Sequence, residues 1–467
     1  MENHLAALAE SKLAPFWLDH EGRPDPLPPL GGDSRCQLLI VGGGFTGLWA
    51  ALQAKERVPE LDVILIEGTE IGLGASGRNG GFISNSLAHG ETNAEYHFPG
   101  EVEKLAELGN QNLQELLDAL ERYDIDAHFD ETGSIQVTTH PSQNEELAKL
   151  VEEGREAGED LVWFDQAEMR REINSPTYCG GAWNRHGRNG LVNPALLCWG
   201  LKRVVLDLGV RIFEGTAMVK MSPRADGMTV ECARGSVRCD RVLMATNAFR
   251  SPLSKVRRSV IPVWDYSVVT EPLNDRQLES VGWKRRQGLS NRANMFHYYR
   301  MTRDNRITWG GGPAVCYYYG SQTGDEVSDP RRKMEALSRE FFETFPQLEG
   351  IRFTHRWGGI IGSTTRLCMA PGTAFNGRVA WSVGYTGLGV SASRFGARVG
   401  LELLGYQPSE ILSLQFVRKP PLPWPPEPLR WMGVTMTRKE LERADRNLGK
   451  RGLWLKLLDR FNLGFAC

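Results

Sequence analysis

The 467-residue chain lacks several features that mark particular classes of protein. Its formal net charge is −2, so it has no positive excess of the kind that nucleic-acid-binding proteins place against phosphate. Its eight cysteines are scattered, without a CxxC pair or a Cys/His cluster. This spacing predicts neither a metal site nor a disulfide framework. The net charge excludes nucleic acid as a main partner.

Long apolar runs are also missing. No stretch approaches the ~18 uninterrupted apolar residues of a membrane-spanning helix. The opening segment MENHLAALAESKLAPFWLDH has no basic region leading into an apolar core, so we predict no secretory signal and expect the cytoplasm. A hydrophobic content of 41% and a charged content of 24% are typical of globular proteins, and the length suggests two or three domains.

The most informative segment that is present is LLIVGGGFTGLWAALQAKERVPELDVILIE, residues 38–67. An apolar run, a glycine turn, a helical pattern and a second apolar run ending in an acid follow the order of a dinucleotide-binding site. Gly42 permits the sharp turn, Gly44 lets a pyrophosphate approach the helix N-terminus, and Gly47 permits close packing of helix on strand. The predicted binding residues of this segment are Gly42, Gly44, Phe45, Thr46, Gly47 and Glu67, the last for the ribose hydroxyls.

Local patterns predict further elements. Leucine spacing indicates an amphipathic helix over 101–122, alternation indicates a strand over 132–139, and helices are expected over 143–158 and 331–345. The tail begins with a proline-rich strap over 417–430 and continues as a basic helical segment over 438–460. One face of that segment is expected to carry Leu453, Trp454, Leu457, Leu458 and Phe461.

Three more motifs are separated along the chain: GASGRNGGF at 74–82, MATNAF at 244–249 and GYTGLGVSASRFG at 384–396. Together with the first motif they resemble the D-amino-acid-oxidase-like, FAD-dependent oxidoreductases, the group of glycine oxidase, sarcosine oxidase and D-amino-acid dehydrogenase. Within that group the chain is most similar to the gamma-glutamylputrescine oxidase branch. The similarity covers roughly residues 35–405 and implies a flavoenzyme that holds FAD.

The resemblance implies where each motif meets the cofactor. The second motif would run beside the pyrophosphate, ribityl chain and flavin ring, through Gly74, Ala75, Ser76, Arg78, Asn79, Gly80 and Gly81. The third would close behind the nucleotide half through Thr246 and Asn247, and the backbone of Val219 would meet adenine. The fourth would lie at the flavin pyrimidine through Gly384, Gly387, Leu388, Gly389 and Val390.

Two departures from the family concern the flavin ring. The family often has His where Leu388 stands, so that edge of the ring would be served by backbone alone. Some relatives tether the ring through a His after the second motif or a Cys near the fourth. Neither Gly80-Gly81-Phe82 nor Gly387-Leu388-Gly389 offers such a nucleophile, so we expect non-covalent FAD.

Substrate contacts are expected from the aromatic block that follows residue 261. The resemblance suggests Arg300, Tyr299, Trp357 and Arg366 as residues near the substrate. Arg300 would suit a bidentate clamp on a carboxylate, or it pairs with the neighbouring Asp304. Two pairs of residues have more than one reading: His297 and His355 as bases or as structural hydrogen-bonding groups, and Trp264 and Tyr266 as an aromatic wall or as core.

The predicted fold is α/β, a Rossmann-like FAD-binding domain with an interleaved antiparallel-β substrate domain. The segments expected are an N-terminal extension over 1–33, an FAD-binding domain from 34–90, 180–260 and 355–405, a substrate domain from 91–179 and 261–354, and a strap and basic helical tail over 406–467.

The leading functional prediction is oxidation of a small amine or amino acid, with molecular oxygen or another acceptor taking the electrons. An NAD(P)H-dependent flavin monooxygenase is a second reading, although 384–389 lacks the full GxGxxG pattern of a second dinucleotide site. A third is a quinone-linked dehydrogenase with its basic tail in peripheral contact with a membrane, against which stand the charges of both signs in that tail. The sequence does not specify the oligomeric state.

Overall fold

The structure of the chain, a computed structural model, describes residues 3–185, 188–324, 327 and 329–460. Its strands are β1 Lys12–Leu13, β2 Ser34–Val41, β3 Val63–Ile66, β4 Phe82–Ile83, β5 Ser134–Thr138, β6 Leu161–Phe164, β7 Gly180–Asn184, β8 Gly190–Leu191, β9 Arg211–Phe213, β10 Met218–Pro223, β11 Met228–Cys232, β12 Gly235–Met244, β13 Ile261–Thr270, β14 Gly288–Asn291, β15 His297–Met301, β16 Ile307–Gly311, β17 Phe353–Ser363, β18 Ala370–Ala374 and β19 Val379–Val383. Its helices are α1 Asn3–Leu8, α2 Phe45–Arg57, α3 Glu91–His97, α4 Val102–Arg122, α5 Asn144–Glu156, α6 Gln166–Glu172, α7 Pro194–Asp207, α8 Ser254–Ser259, α9 Asp275–Val281, α10 Arg331–Thr344, α11 Gly389–Leu403, α12 Gln415–Arg418, α13 Leu429–Arg446 and α14 Leu453–Arg460.

The apolar runs around the glycine turn form the centre of an eight-stranded sheet. Its order is β10-β11-β12-β2-β3-β9, with β19 paired to β12 and β18 paired to β19. The pairs β12–β2, β2–β3, β3–β9 and β12–β19 are parallel. All four residues of β3 are buried, as expected of a parallel strand covered on both faces. Helices α2, α7 and α11 pack together beside this sheet.

The aromatic block forms most of a nine-stranded sheet with the order β1-β17-β13-β16-β15-β14-β5-β7-β6. One face, which we call the outer face, packs against α10 through a core that includes Trp309, Phe341 and Phe345. Side chains on the other, inner face, such as Trp357 and Val269, pack into the core that β2, α2, α7 and α11 share. Because side chains alternate along a strand, neighbouring residues of β13 and β15 face different parts of the protein.

Two predicted boundaries fall on strands of the other sheet. The strands within 261–354 all pair in the nine-stranded sheet, but so do Gly180–Asn184 and Phe353–Ser363. The segments predicted as 180–260 and 355–405 of the FAD-binding domain therefore each begin with, or within, a strand of the nine-stranded sheet. The chain crosses between the sheets after these strands, not before them.

The N-terminal extension contributes to the core. Lys12–Leu13 pairs in parallel with β17, and the following turn buries Trp17 and Leu18. Leu18 lies against the second glycine motif, 2.7 Å from where a Cβ on Gly77 would stand. This segment therefore contacts both the nine-stranded sheet and the second glycine motif.

The tail is helical, as predicted for 438–460, but the helix is interrupted. It forms α13 and α14, separated at Asn447–Gly452, and it packs on its own chain through Leu441, Ala444 and Leu455. Leu453, expected on the apolar face of this segment, is 88% exposed, and Phe461 and Cys467 lie outside the described residues. Within the described ranges, no helix is both long and apolar enough to cross a membrane.

Candidate active site

The first glycine turn is packed too tightly to accept side chains at two positions. Gly42 has φ +114°, and a Cβ there would lie 2.7 Å from the Ala245 carbonyl oxygen. A Cβ on Gly47 would lie 1.9 Å from the Gly42 carbonyl oxygen. Gly42 therefore makes the turn that joins β2 to α2, and Gly47 lets α2 begin directly against it. Phe45 and Thr46 form the buried first turn of this helix.

Gly44 leaves a small space at the N-terminus of α2. It is the N-cap residue of the helix, it supplies no side-chain cap, and a Cβ there would meet only Ser76, at 2.8 Å from Oγ. The Phe45 N–H donates to the same Ser76 hydroxyl over 2.9 Å. The unsatisfied N–H groups and dipole of a helix N-terminus favour an anion here. Ser76 is placed to share that anion with the helix.

The carboxylate of Glu67 stands beside the turn at the end of β3. Its Oε2 accepts from the Gly43 N–H over 2.7 Å, and its Oε1 accepts from the backbone N–H and hydroxyl of Thr69. Thr246, whose backbone nitrogen lies 3.4 Å from the Cβ position of Gly42, has a buried hydroxyl oxygen with no hydrogen-bond partner among the described residues. A fixed acid, a helix whose N-cap residue has no side chain and an orphaned hydroxyl fit the nucleotide half of a bound dinucleotide.

The second motif folds into a turn that Asn79 fixes. The Asn79 Nδ2 donates to the carbonyls of Ala75 and Ser76, and its Oδ1 accepts from the Gly81 N–H over 2.8 Å. Gly81 has φ +76°, and a Cβ on it would lie 2.1 Å from the Val192 carbonyl oxygen. The turn therefore lies with bare backbone against its neighbours, at positions where only glycine fits. Gly74, where the turn begins, lies against the ring of Phe249.

Arg78 and Trp357 join this turn to the nine-stranded sheet. The Arg78 guanidinium donates to the carbonyls of Leu73 and Gly358, and the Trp357 indole N–H donates to the Arg78 carbonyl over 2.9 Å. These bonds position the second motif on β17. The charge of Arg78 is placed beside the expected path of the cofactor, and its role toward phosphate stays a prediction.

The fourth motif is held by Asn247 of the third. Asn247 has φ +44° and accepts a hydrogen bond from the Gly384 N–H over 2.9 Å. Gly384 and Gly387 both have positive φ, and α11 begins at Gly389. Its N-cap, Leu388, supplies no side-chain cap, and Val390 is buried in the first turn. The helix N-terminus can therefore stabilise negative charge at the place where the resemblance puts the flavin pyrimidine.

His89 reaches the fourth motif from a distant part of the chain. Its Nε2 lies 2.5 Å from the Thr386 carbonyl oxygen. Burial lowers the pKa of His89, so the imidazole is neutral and donates to this carbonyl. The residue belongs to no motif and stands far from Thr386 in the chain, so only the fold brings them together.

A row of side chains crosses the inner face of the nine-stranded sheet. Strand pairing places Tyr298 opposite Gly310, Gly310 opposite Ser267, and Ser267 opposite Trp357. The Tyr298 ring lies over Gly80, 2.9 Å from where its Cβ would stand, and meets the edge of Phe82 at 6.0 Å between ring centroids. The inner face therefore meets the second motif directly, which is where a substrate would face the flavin.

Arg300 lies on the same face, two residues beyond Tyr298. It is 2% exposed, its Nη1 donates to the Val192 carbonyl over 2.6 Å, and its Cζ lies 5.4 Å from the centre of the Trp17 ring. Its Nε has no partner among the described residues. Asp304 pairs with Arg306 instead, so the alternative of an Arg300–Asp304 pair is wrong. Burial lowers the pKa of Arg300 to about 10, which leaves the guanidinium charged at neutral pH.

Tyr299 and Arg366 do not reach this face. The Tyr299 hydroxyl lies 2.7 Å from that of Tyr178, and its ring packs against Trp309 on the outer face. The Arg366 guanidinium donates to the carbonyls of Met369, Phe416 and Lys419, which ties it to the chain around α12. Both predictions as substrate contacts are corrected: strand alternation selects Tyr298 rather than Tyr299, and Arg366 stabilises the C-terminal segment.

The open readings of other residues resolve as structural. His297 stacks on Trp309 and pairs with Glu340 on the outer face, and His355 pairs with Asp19. Trp264 and Tyr266 stack in the outer core.

Val219 differs from the other predicted cofactor residues in the exposure of its side chain. Its side chain is 68% exposed, at an irregularity of β10 between Met218 and Lys220. Ala217, two residues earlier, lies against Gly68 beside Glu67. The adenine contact of the Val219 backbone stays a prediction.

Comparison with known proteins agrees with this geometry. The chain is 28% identical over 405 residues to a probable oxidoreductase, OrdL, of Haemophilus influenzae, covering 83% of this chain and 87% of the relative. It is 28% identical over 386 residues to gamma-glutamylputrescine oxidoreductase of Escherichia coli, covering 81% and 86%. The crystal structure of glycine oxidase from Geobacillus kaustophilus superposes with a TM-score of 0.66 at 18% identity, covering 81% of this chain and 96% of that one, and shows the same fold.

The profile of the DAO family, described as FAD dependent oxidoreductase, matches residues 37–403. That span contains all four motifs, both glycine turns and the inner-face row. The predicted family, cofactor and mixed α/β fold are confirmed. The chain belongs to the DAO family of FAD-dependent oxidoreductases and is an enzyme of that family.

Proposed function

We propose that the protein oxidises the CH–NH bond of a small amine or amino acid that bears an acidic group, of which a gamma-glutamyl amine is one example. Two electrons and two hydrogens leave the substrate, which becomes an imine. Water then converts the imine to a carbonyl compound and ammonia or a smaller amine. The FAD supplies the two-electron acceptor when it is bound.

One observation carries this proposal: polar and charged side chains of the inner face lie directly against the second glycine motif. Tyr298 packs on Gly80, and Arg300 lies at Gly81, with its Nη1 2.7 Å from where a Cβ would stand. A charged guanidinium there can bind a carboxylate. The names of similar proteins support the substrate class, since they include gamma-glutamylputrescine, glycine and iminodiacetate.

The residues of the chain bind and orient the substrate, so the proposed reaction needs no catalytic triad. Arg300 would hold the acidic group, while Trp357 and Tyr298 cover the inner face and exclude water. Seven buried or half-buried aromatic and glycine positions form this wall without a flexible side chain: Phe82, Tyr298, Trp357, Gly80, Gly81, Gly310 and Gly359. Such a rigid wall fixes the C–N bond in one orientation.

A quinone-linked dehydrogenase that docks its tail on a membrane is the second candidate. It is favoured by apolar side chains that the tail leaves exposed: Leu429, Trp431, Met432, Met436, Leu453 and Leu457. Against it, α13 carries buried contacts to Met295 of its own chain. Oxidase and dehydrogenase differ in their acceptor, so the acceptor decides between them.

The test is a turnover assay with primary amines, N-methyl amines, gamma-glutamyl amides and D-amino acids. We expect a carbonyl product from at least one class that bears an acidic group, with equal peroxide if the protein is an oxidase. Product without peroxide, together with reduction of a quinone analogue, would favour the dehydrogenase. Failure of all four classes with every acceptor would refute the proposal.

A further inference from the structure

The carboxylate of Asp265 lies on the inner face, two residues before Ser267 on β13. Asp265 stands opposite Gly359 in the pairing of β13 with β17, and its alternation with Trp264 and Tyr266 directs it away from the outer core. It is 7% exposed. An acid within an apolar run gives no signal of its own, so the sequence does not single out Asp265.

Asp265 and Tyr298 form a close pair. The Tyr298 hydroxyl donates to Oδ2 over 2.6 Å, and the Tyr266 backbone N–H donates to Oδ1 over 2.8 Å. Burial and the neighbouring carboxylate raise the pKa of Tyr298 well above its usual value, so the hydroxyl keeps its proton and donates. The pair spans Gly310, where a Cβ would lie 2.8 Å from the Tyr298 hydroxyl oxygen. Glycine at 310 is therefore what allows the pair to form.

Hydrogen-bond donors surround the carboxylate, namely the Tyr298 hydroxyl and the backbone N–H groups of Tyr266 and Gly311. Among the described residues, no Lys or Arg forms an ion pair with Asp265. Burial raises the pKa of Asp265, since the charged form is costly away from water. Buried carboxylates in proteins are normally compensated by a cation.

The position of the pair relates it to the reaction. The Tyr298 ring that holds Asp265 also packs on Gly80 of the second motif. Arg300 lies two residues further along the same face. The inner face thus carries one negative group on β13 and one positive group on β15.

We infer that Asp265, oriented by Tyr298, is the counter-ion for the ammonium group of the substrate. This inference rests on the proposed function and narrows it. With Arg300 binding an acidic group and Asp265 the ammonium, the substrate is a zwitterionic amine. A neutral or purely anionic compound would leave the Asp265 charge unmatched.

The test measures binding without turnover. tert-Butylammonium has no hydrogen on the carbon next to nitrogen, so it cannot be oxidised, and pivalate is its carboxylate counterpart of the same shape. Each probe is titrated against the FAD-loaded enzyme by the change in the flavin absorption spectrum. Wild type is expected to bind both, and Asp265→Asn is expected to weaken tert-butylammonium about tenfold to a hundredfold while pivalate binds as before or more tightly.

Controls separate this result from damage to the fold. Asp226→Asn removes a carboxylate from an exposed turn and is expected to change neither titration. Tyr298→Phe keeps the ring and removes the donor to Asp265, so it should weaken tert-butylammonium severalfold and leave pivalate unchanged. It decides the question if Asp265→Asn does not fold.

Equal binding of tert-butylammonium by wild type and Asp265→Asn, or by wild type and Tyr298→Phe where Asp265→Asn does not fold, would overturn the inference. The inference would also be overturned if tert-butylammonium did not bind a wild-type protein that oxidises amines. The proposed function would then stand. If wild type oxidised no amine, the proposed function itself would be refuted, whatever the two probes show.

Discussion

Replacing Gly44 with valine is expected to give a folded protein that retains no FAD. Gly44 has φ −83° and ψ −174°, an extended conformation that a branched residue accepts. Its Cβ would meet only the Ser76 hydroxyl, which can rotate away. The valine methyl groups would then fill the space at the N-terminus of α2 where we expect the pyrophosphate to bind. The measurement is the flavin absorbance of the purified protein relative to its protein absorbance.

The matched control is Gly31→Val, at a glycine with nothing within 4 Å of its Cβ position. It should retain full FAD. In wild type and in this control, acid should release the flavin from the precipitated polypeptide. The reason is that Gly80-Gly81-Phe82 and Gly387-Leu388-Gly389, where relatives tether the ring, contain no nucleophile. Stoichiometric flavin in Gly44→Val would contradict the assignment of the glycine turn.

Removing Arg300 is expected to have the second largest effect. Arg300→Ala should raise the Michaelis constant of an acidic-group-bearing amine about ten- to a hundredfold, which corresponds to roughly 1.5–3 kcal/mol of lost binding. Arg300→Lys should recover only part of it, because a point charge does not reproduce the guanidinium fork. Steady-state kinetics and FAD content are measured together.

FAD content is included because Arg300 also donates to the Val192 carbonyl beside Gly81. The control is Arg303→Ala, which removes a half-exposed arginine paired with Asp130 near the same strand and should change neither quantity. An unchanged Michaelis constant in both Arg300 variants, with reduced FAD content, would show that Arg300 only positions the second motif.

The sequence sufficed where local chemistry dictates the structure. Gly42 is required by its own positive φ, and Gly47 by its contact with the Gly42 carbonyl, so their spacing predicts the strand, turn and helix around them. The long amphipathic helix was expected over 101–122 and lies at Val102–Arg122, because its leucine period reports one buried face.

Sequence was insufficient where a one-residue shift or a distant contact decides. Tyr298 and Tyr299 are adjacent and chemically alike, yet the strand turns them to opposite faces, and only pairing with β16 tells which face is inner. Arg366 shows that an arginine in a plausible position can be used entirely by backbone carbonyls. His89 and Asp265 gain their surroundings from segments far away in the chain.

The central claim, that an amine reduces the flavin of this protein, is tested most directly by a single turnover without oxygen. The FAD-loaded protein is mixed in a stopped-flow instrument with each amine class and, separately, with NADH and NADPH, and the flavin absorption band is followed. We expect an amine that bears an acidic group to bleach the band and the nicotinamides to leave it unchanged. Bleaching by a nicotinamide, with none by any amine, would contradict the account and indicate a flavin monooxygenase or reductase.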